Sequence, residues 1–116
     1  MYINRILFHP KKGERNSPED KLDPENDVMT PDESAGMLGK FERFRTLPLY
    51  SISRKWKKKV DMFKQLTHGD FRALYEIIGN DIIIFHIFRK TSQDTKKEDI
   101  MIARANYKHY ETNNRI

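Results

Sequence analysis

The chain has 116 residues, of which 37% are hydrophobic and 34% are charged, and it contains no cysteine. This length allows one domain with a modest core, and the lack of cysteine excludes a disulfide framework and a thiolate metal site. The N-terminus lacks the apolar run of a signal peptide, and the longest strongly apolar run, Ile82 to Phe88, is far too short to span a membrane. The sequence therefore predicts a single domain over residues 1–116 that is cytoplasmic and makes no membrane contact.

Charge is distributed unevenly along the chain. Residues 1–50 carry eight Lys or Arg against nine Asp or Glu, a net charge of −1, whereas residues 51–116 carry fourteen against eight, a net charge of +6. A basic face attracts nucleic acid by counterion release and equally attracts an acidic protein segment. We therefore expect the second half of the chain to carry the binding surface.

The first elements in the chain are a short strand and a long polar segment. A strand is expected over residues 2–8, and Pro10 stops it. Residues 10–29 are rich in proline and acidic residues and have few large apolar side chains. They are expected to form a loop, mobile segment or insertion that cannot build a core. The alternative is an acidic flap that competes with RNA for the basic face.

Two helices are predicted next. Thr30-Pro31-Asp32-Glu33 forms a capping box at the start of the first, which ends near Arg45 or Thr46 because Pro48 disfavours helical geometry before it. Apolar residues then recur every three or four positions from about Tyr50 to Leu66, which predicts a second helix. A short proline-containing link would pack the two helices antiparallel, as a helical hairpin.

The rest of the chain predicts a β-hairpin and a C-terminal helix. Residues 71–78 and 82–90 are strands, joined by the three-residue turn Gly79-Asn80-Asp81. Thr95 to Glu98 forms a second capping box, and a helix follows to about Tyr110. Together these elements predict an α+β fold, in which a small antiparallel sheet packs against the N-terminal helical hairpin and carries a C-terminal helix.

Motifs for metal, nucleotide and serine chemistry are missing from the sequence. It has no G-x-S-x-G elbow, no glycine-rich phosphate loop and no HExxH. Its four histidines are scattered, with no metal-ligand spacing. We therefore expect no metal and no cofactor, and the chemistry that remains available is cationic.

Cations collect around the predicted hairpin. Arg72 lies on its first strand, and Arg89 and Lys90 end its second. Because side chains alternate along a strand, Arg89 and Lys90 point to opposite faces, and at most one of them shares a face with Arg72 unless the strand ends or bulges there. Regular alternation puts Ile82, Ile84, His86, Phe88 and Lys90 on one face and Ile83, Phe85, Ile87 and Arg89 on the other. Both faces are apolar, so this strand is expected to be central and covered on both sides.

Each candidate residue also has a plainer interpretation. Arg72 can be a solvated surface arginine, and Arg89 with Lys90 can be a solubilising strand end. His86 can be a hydrogen-bonded core histidine, and Tyr75 a core residue with its hydroxyl near the surface. Two lysine groups can each be a solvated face or a contact to the phosphate backbone of RNA: Lys57, Lys58 and Lys59 in the predicted second helix, and Lys96 and Lys97 at the start of the last helix.

Roughly a third of the chain resembles the RelE/HigB superfamily of toxins from type II toxin–antitoxin systems. This stretch runs from FRALYEI to IIIFHIFRKTSQDTKKEDIMIARANYKHY. The phage-derived branch has an aromatic-Arg-x-x-Tyr strand, an apolar strand running into His-x-Phe-x-Lys-Lys-Thr, and a helix with Glu-Ile-x-x-Ala. The matching segments are Phe71 to Tyr75, His86 to Thr91, which is one residue shorter before its basic pair, and Asp99 to Ala103, with Asp in place of Glu.

The resemblance implies a metal-independent endoribonuclease that cleaves mRNA, usually on the ribosome, and that a cognate antitoxin, such as a helix-turn-helix protein, holds in check. In that family the RNA 2′-hydroxyl attacks while basic residues position the phosphate and stabilise developing charge. Arg72 matches the strand arginine that contacts phosphate, and Lys90, or Arg89 if the register differs by one, matches the basic position near the leaving group. His86 and Tyr75 match recurrent positions whose roles the resemblance leaves open.

Three departures from the family pattern bear on this interpretation. Segment 10–29 is not typical of the family, and Lys96 replaces the proline common at the start of the last helix. The family also has a strand ahead of the arginine strand that often supplies cations, so either that strand is missing or part of Val60 to Leu66 is β. Two other functions stay open: a ParE-type gyrase inhibitor, and a basic nucleic-acid-binding domain without catalysis.

Overall fold

The computed structural model describes residues 2–48, 59–91 and 95–114. In this part of the chain the elements are β1 Arg5–Phe8, α1 Pro31–Phe44, β2 Lys59–Val60, β3 Phe63–His68, β4 Phe71–Ile78, β5 Asp81–Arg89 and α2 Lys97–Asn114. The strands form one sheet in the order β1-β5-β4-β3-β2. One face packs against α1 and the other against α2, each through its own apolar core. The predicted α+β class is confirmed, and neither described helix is long and apolar enough to cross a membrane.

The sheet is mixed and not antiparallel throughout as predicted. β1 pairs in parallel with β5, from Arg5 opposite Asp81 to Phe8 opposite Ile84, whereas the other strand pairs are antiparallel. A parallel pair needs a long crossover connection, which the chain has in the loop and helix that follow β1. Burial patterns in a sequence give no strand direction, which is why this edge was predicted incorrectly.

The helix predicted up to Leu66 is wrong over residues 59–66, where the chain forms β2 and β3, and residues 50–58 lie outside the described ranges. Phe63 is buried on the α2 side and Leu66 on the α1 side. A strand covered on both faces buries apolar residues three apart, which is also the spacing of a helix face. Asp61, with a φ of 58°, lies in the two-residue turn between β2 and β3. The predicted helical hairpin is therefore replaced, in the described residues, by α1 alone.

The predicted hairpin of β4 and β5 is confirmed, with a shorter turn. Ile78 pairs with Asp81, so the loop contains two residues, Gly79 and Asn80, where we expected three. Gly79 has a φ of 62°, which a two-residue hairpin with glycine in its first loop position requires. Ile82 to Phe88 is buried without interruption, and β5 lies between β1 and β4. The prediction of a central strand covered on both faces is therefore confirmed.

A β-bulge changes which side chains of β5 share a face. Leu74 pairs with His86 but Tyr75 pairs with Ile84, so Phe85 is the additional residue. Beyond the bulge the alternation shifts by one position: Ile82, Ile84 and Ile87 lie in the α1-side core, and Ile83, Phe85 and Phe88 lie in the α2-side core. The faces expected from regular alternation are therefore wrong from His86 onward: His86 and Phe88 lie on the α2 side with Ile83, and Ile87 lies on the α1 side with Ile82.

The segment between β1 and α1 is anchored at several points. It contains two short 3₁₀ helices, Glu19–Leu22 and Pro24–Asn26. Leu22 and Met29 are 6% and 3% exposed and belong to the α1-side core, contrary to the expectation that this segment contributes none. α1 itself starts as predicted, because Thr30 and Glu33 form both hydrogen bonds of the capping box.

Asn106 gives a stability prediction that arises from the bulge. Its Nδ2 donates to the carbonyl oxygen of Phe85, 2.8 Å away, and its side chain is buried. We expect Asn106→Ala to lower the free energy of unfolding by about 1–3 kcal/mol, because a buried carbonyl loses its donor. Urea denaturation measures the change, and Thr112→Ala, an exposed polar residue on the same helix, is the control. A loss no greater than that of the control would contradict the role assigned to Asn106.

Candidate functional site

The structure brings Arg72 and Lys90 together on one face of the sheet. Arg72 pairs with Phe88 on β5 and with Thr67 on β3, and directly opposed residues share a face, here the α2 side. The backbone N–H of Lys90 donates to the carbonyl oxygen of Asp70 at 2.7 Å, which extends the pairing by one step. Lys90 therefore continues the same face as Phe88, diagonal to Arg72. Diagonal neighbours of this kind lie about 7–8 Å apart.

The Arg72 side chain is held at the β3–β4 turn. Its Nη1 donates to the carbonyl oxygens of Gly69 and Phe71, at 2.7 and 3.0 Å. A guanidinium carries five N–H groups, so phosphate binding through Nη2 and Nε does not require these bonds to break. The turn therefore holds the guanidinium in place, at the same end of the face as Lys90.

Arg89 lies on the other face of the sheet. Its guanidinium carbon is 4.7 Å from the ring centroid of Phe71, a residue of the α1-side core, and its Nη1 is 3.8 Å from the Asp70 carboxylate. It also lines a surface depression of about 320 Å³ beside Glu33 at the start of α1. The sequence left Lys90 and Arg89 open as the basic residue near the leaving group. In the structure Lys90 shares a face with Arg72, and Arg89 does not.

His86 lies on the same face as Arg72, buried under the first turn of α2. It is 1% exposed, its ring stacks on Phe88 at a centroid distance of 5.4 Å, and its Nε2 is 2.8 Å from Oδ1 of Asp99 in the first turn of α2. Burial lowers the pKa of His86 to about 4, although the hydrogen bond to Asp99 acts to raise it. At neutral pH the ring is therefore uncharged, donates from Nε2 to the carboxylate, and links β5 to α2.

Lys21 is a cation in this region that sequence reasoning missed. It lies in the first 3₁₀ helix and is half-buried. Burial lowers the pKa of Lys21, while the negative charge of Asp99 acts to raise it, and Lys21 in turn lowers the pKa of His86. No local pattern could have identified this lysine, because it lies in an acidic segment far from the hairpin in sequence. Asp99 could have been found, since it occupies the glutamate position of the family pattern.

The predicted lysine contacts are only partly described by the structure. Lys96 and Lys97 are exposed, and the carbonyl oxygen of Lys96 accepts from the first N–H groups of α2. Lys59 opens β2, whereas Lys57 and Lys58 lie outside the described ranges. On β3, Phe63, Gln65 and Thr67 occupy the Arg72 face, and the Nζ of Lys64 is paired at 2.8 Å with the carboxylate of Glu76. Within the described residues, β3 therefore adds no lysine or arginine to that face.

Tyr75 is separated from the other candidates. It is fully buried on the α1 side, where its ring contacts Phe41 and Phe44 at centroid distances of 5.4 and 5.9 Å. The hydroxyl has no hydrogen-bond partner among the described residues, and burial raises its pKa. This arrangement is that of a core residue with its hydroxyl inside the protein and not near the surface.

A second prediction follows from the buried Tyr75 hydroxyl. We expect Tyr75→Phe to leave any RNA-cleaving activity unchanged and to keep or raise the free energy of unfolding, by up to about 1–2 kcal/mol, because the variant buries no unpaired hydroxyl. Thermal unfolding and an activity assay on the same preparation measure both effects. Loss of activity in a stably folded Tyr75→Phe protein would show that the Tyr75 hydroxyl takes part in catalysis.

The arrangement can hold a phosphate but offers no ready metal centre. Among the described residues, no group of three histidine, aspartate or glutamate side chains is placed to hold a metal ion. Arg72 and Lys90 supply donors and positive charge at one end of the face, and on the same face the neutral ring of His86 donates a hydrogen bond to the Asp99 carboxylate. Comparison of the whole chain with protein-family models and with curated proteins gives no match.

Proposed function

We propose that the protein is the toxin of a type II toxin–antitoxin system, of the RelE/HigB kind, and that it cleaves mRNA on the ribosome in the cytoplasm without a metal ion. The observation that carries the proposal is the placement of Arg72 and Lys90 on one face, at the end of the central hairpin. These are the residues to which the resemblance assigns the two phosphate ligands, although the segment before the basic pair is one residue shorter than in the family. The strand β3, which precedes the arginine strand, supports the proposal because the family has a strand at that place.

In the proposed reaction the RNA supplies the nucleophile, so the protein has to stabilise the negative charge that develops on the phosphate. The RNA 2′-hydroxyl loses its proton to water as its oxygen attacks the adjacent phosphorus, the bond from phosphorus to the 5′-oxygen of the next nucleotide breaks, and that oxygen takes up a proton, which leaves a 2′,3′-cyclic phosphate and a 5′-hydroxyl. Arg72 is assigned to the non-bridging phosphate oxygens, where negative charge grows, since guanidinium N–H groups match that geometry. Lys90 is assigned to the leaving 5′-oxygen. Donors fixed in advance at developing charge are the largest source of catalysis in such sites.

His86 is assigned a positioning role in this proposal. With 1% of its surface exposed, the ring cannot reach RNA in this conformation. Through Asp99 it fixes the start of α2, where Lys96 and Lys97 add positive charge beside the helix N-terminus. These lysines would contact the RNA backbone or the ribosome without sequence preference. The same basic surface suits an acidic segment of a cognate antitoxin, which would cover it.

The proposal is tested by expressing the chain alone and together with the neighbouring gene, and by mapping RNA ends. We expect growth arrest with the chain alone, relief on co-expression, and new 5′ ends within coding regions. Intact mRNA with inhibited DNA supercoiling would support a gyrase inhibitor instead. Steeply salt-dependent binding of RNA or DNA with no turnover would support a basic nucleic-acid-binding domain. Absence of both arrest and cleavage would refute the proposal.

A further inference from the structure

Thr67 lies directly beside Arg72 on the face that we assign to the phosphate. The two residues oppose each other in the pairing of β3 with β4. The Thr67 side chain is exposed, and no described residue forms a hydrogen bond with its hydroxyl. Because a hydroxyl both donates and accepts, this group offers a free donor and a free acceptor beside the guanidinium.

The pairing brings the two side chains close together and fixes the backbone that carries Thr67. The two-residue turn between β3 and β4 closes on the hydrogen-bonded pair of His68 and Phe71. The next pair, Thr67 with Arg72, is therefore a non-hydrogen-bonded one, in which the Cα atoms lie about 4.5 Å apart and the side chains are closest. The carbonyl oxygen of Thr67 accepts a hydrogen bond from Nζ of Lys40 in α1, 2.8 Å away. Thr67 is thus held at a defined place beside Arg72.

Thr67 is the exposed polar residue that β3 supplies to this face. Phe63 and Gln65 share the face, but Phe63 is apolar and Gln65 is 4% exposed, so neither presents a polar group at the surface. A second phosphate would favour a lysine or arginine at this place. A neutral hydroxyl suits an uncharged hydrogen-bonding group of the RNA, and the ribose hydroxyl is such a group.

Thr67 and Lys90 lie on opposite sides of Arg72. The strand β4 carries Arg72 between β3 and β5, and neighbouring strands are about 4.8 Å apart, so β3 and β5 are separated by about 10 Å across the face. A hydrogen bond of about 2.8 Å at each end leaves about 4 Å between the attacking and the leaving oxygen of one phosphate. Lys90 is one step farther along, which its long side chain spans. The two oxygens lie in line on opposite sides of the phosphorus, so with Lys90 at the leaving 5′-oxygen the attacking oxygen lies toward β3.

We propose that Thr67 binds the ribose 2′-hydroxyl that attacks the phosphate, and that it thereby distinguishes RNA from DNA at the cleavage site. This inference rests on the proposed function and names the group of the substrate that β3 recognises. The Thr67 hydroxyl donates its hydrogen to one lone pair of the 2′-oxygen. The hydrogen of the 2′-hydroxyl leaves to water, and the other lone pair forms the bond to phosphorus. Thr67 exchanges no proton with the RNA; it holds the nucleophile in line, and a 2′-deoxy sugar offers it no partner.

The first test compares variants of Thr67 in RNA cleavage, with a thermal melt of each variant to show that it is folded. Thr67→Val keeps the shape of the side chain but removes the hydroxyl, and we expect it to lower the cleavage rate by about 5–10-fold, the effect of losing one neutral hydrogen bond. Thr67→Ser keeps the hydroxyl and should cleave at nearly the unaltered rate. Thr112→Val, at an exposed threonine near the end of α2, is the matched control. Equal rates for Thr67→Val and this control would overturn the inference.

The second test measures recognition of the 2′-oxygen without cleavage. Two uncleavable oligonucleotides carry the sequence around the mapped cleavage site, one with a 2′-methoxy and the other with a 2′-deoxy sugar at the nucleotide that supplies the attacking oxygen. The methoxy oxygen still accepts a hydrogen bond, so the unaltered protein and Thr112→Val should bind the methoxy form about fivefold more tightly, whereas Thr67→Val should show no preference. A preference that persists in Thr67→Val would overturn the inference and leave the proposed function standing. An unaltered protein that cleaves no RNA would overturn both.

Discussion

Replacing Arg72 with alanine is expected to reduce RNA cleavage by at least about 100-fold while the chain stays folded. The guanidinium is the strongest hydrogen-bond donor group on the face that we assign to the phosphate, and removing one preorganised donor at developing negative charge costs about 10²–10³ in rate. Among the described residues its side chain bonds to the carbonyl oxygens of Gly69 and Phe71, so the expected loss of stability is about 1 kcal/mol. Primer extension on mRNA and a thermal melt of the same variant separate the two effects.

Arg89 provides a matched control for this experiment. It is an arginine on the neighbouring strand, opposite Phe71 in the pairing, and it differs from Arg72 mainly in facing α1. We expect Arg89→Ala to keep cleavage within a few-fold of the unaltered protein and Lys90→Ala to lose most of it. Equal losses for Arg72→Ala and Arg89→Ala would show that overall positive charge matters and not this face, because both variants lower the net charge by one.

The central part of the fold was predictable from the sequence, because the patterns that indicate it lie in neighbouring residues. The capping box of Thr30 and Glu33, the glycine turn after Ile78 and the unbroken apolar run of β5 each follow from neighbouring residues, and each is present in the structure. The direction of β1 and the identity of β3 depend on distant partners. Phe63 and Leu66 are three apart in either a helix or a doubly covered strand, so only the pairing with β4 decides between them.

In the candidate site, too, features set by neighbouring residues were predictable and features set by distant residues were not. Arg72 and Lys90 were identified from sequence because a strand arginine and a cation at the strand end match a pattern. Their common face was not predictable, because it depends on where the alternation of β5 shifts. The bulge at Phe85 leaves a carbonyl oxygen that Asn106 of α2 satisfies, which is a contact over 21 positions. Lys21 was missed for a related reason, since its effect on His86 exists only after the loop has packed on α2.

His86 leads to a prediction about stability as a function of pH. Burial lowers its pKa in the folded protein to about 4, the charge of Lys21 acts in the same direction, and Asp99 opposes both. In the unfolded chain the ring has the ordinary pKa of about 6.5. Below that pH the unfolded chain binds a proton that the folded protein does not, so stability is fully present above pH 6.5 and falls as the pH drops toward 4. The difference between the two pKa values corresponds to about 3 kcal/mol.

Urea denaturation at steps between pH 7.5 and 4.5 measures this loss. Carboxylates whose pKa is lowered in the folded protein, such as Asp61 beside Arg104, act mainly below this window. His9, whose pKa burial also lowers, contributes in the same direction as His86, so the comparison is made with His86→Gln, which keeps a hydrogen-bond donor for Asp99 but does not titrate. We expect the variant to have a distinctly flatter pH dependence than the unaltered protein, whatever its stability at pH 7.5. Parallel curves would mean that His86 is protonated as readily in the folded protein as in the unfolded chain, and that the bond between β5 and α2 is an ion pair.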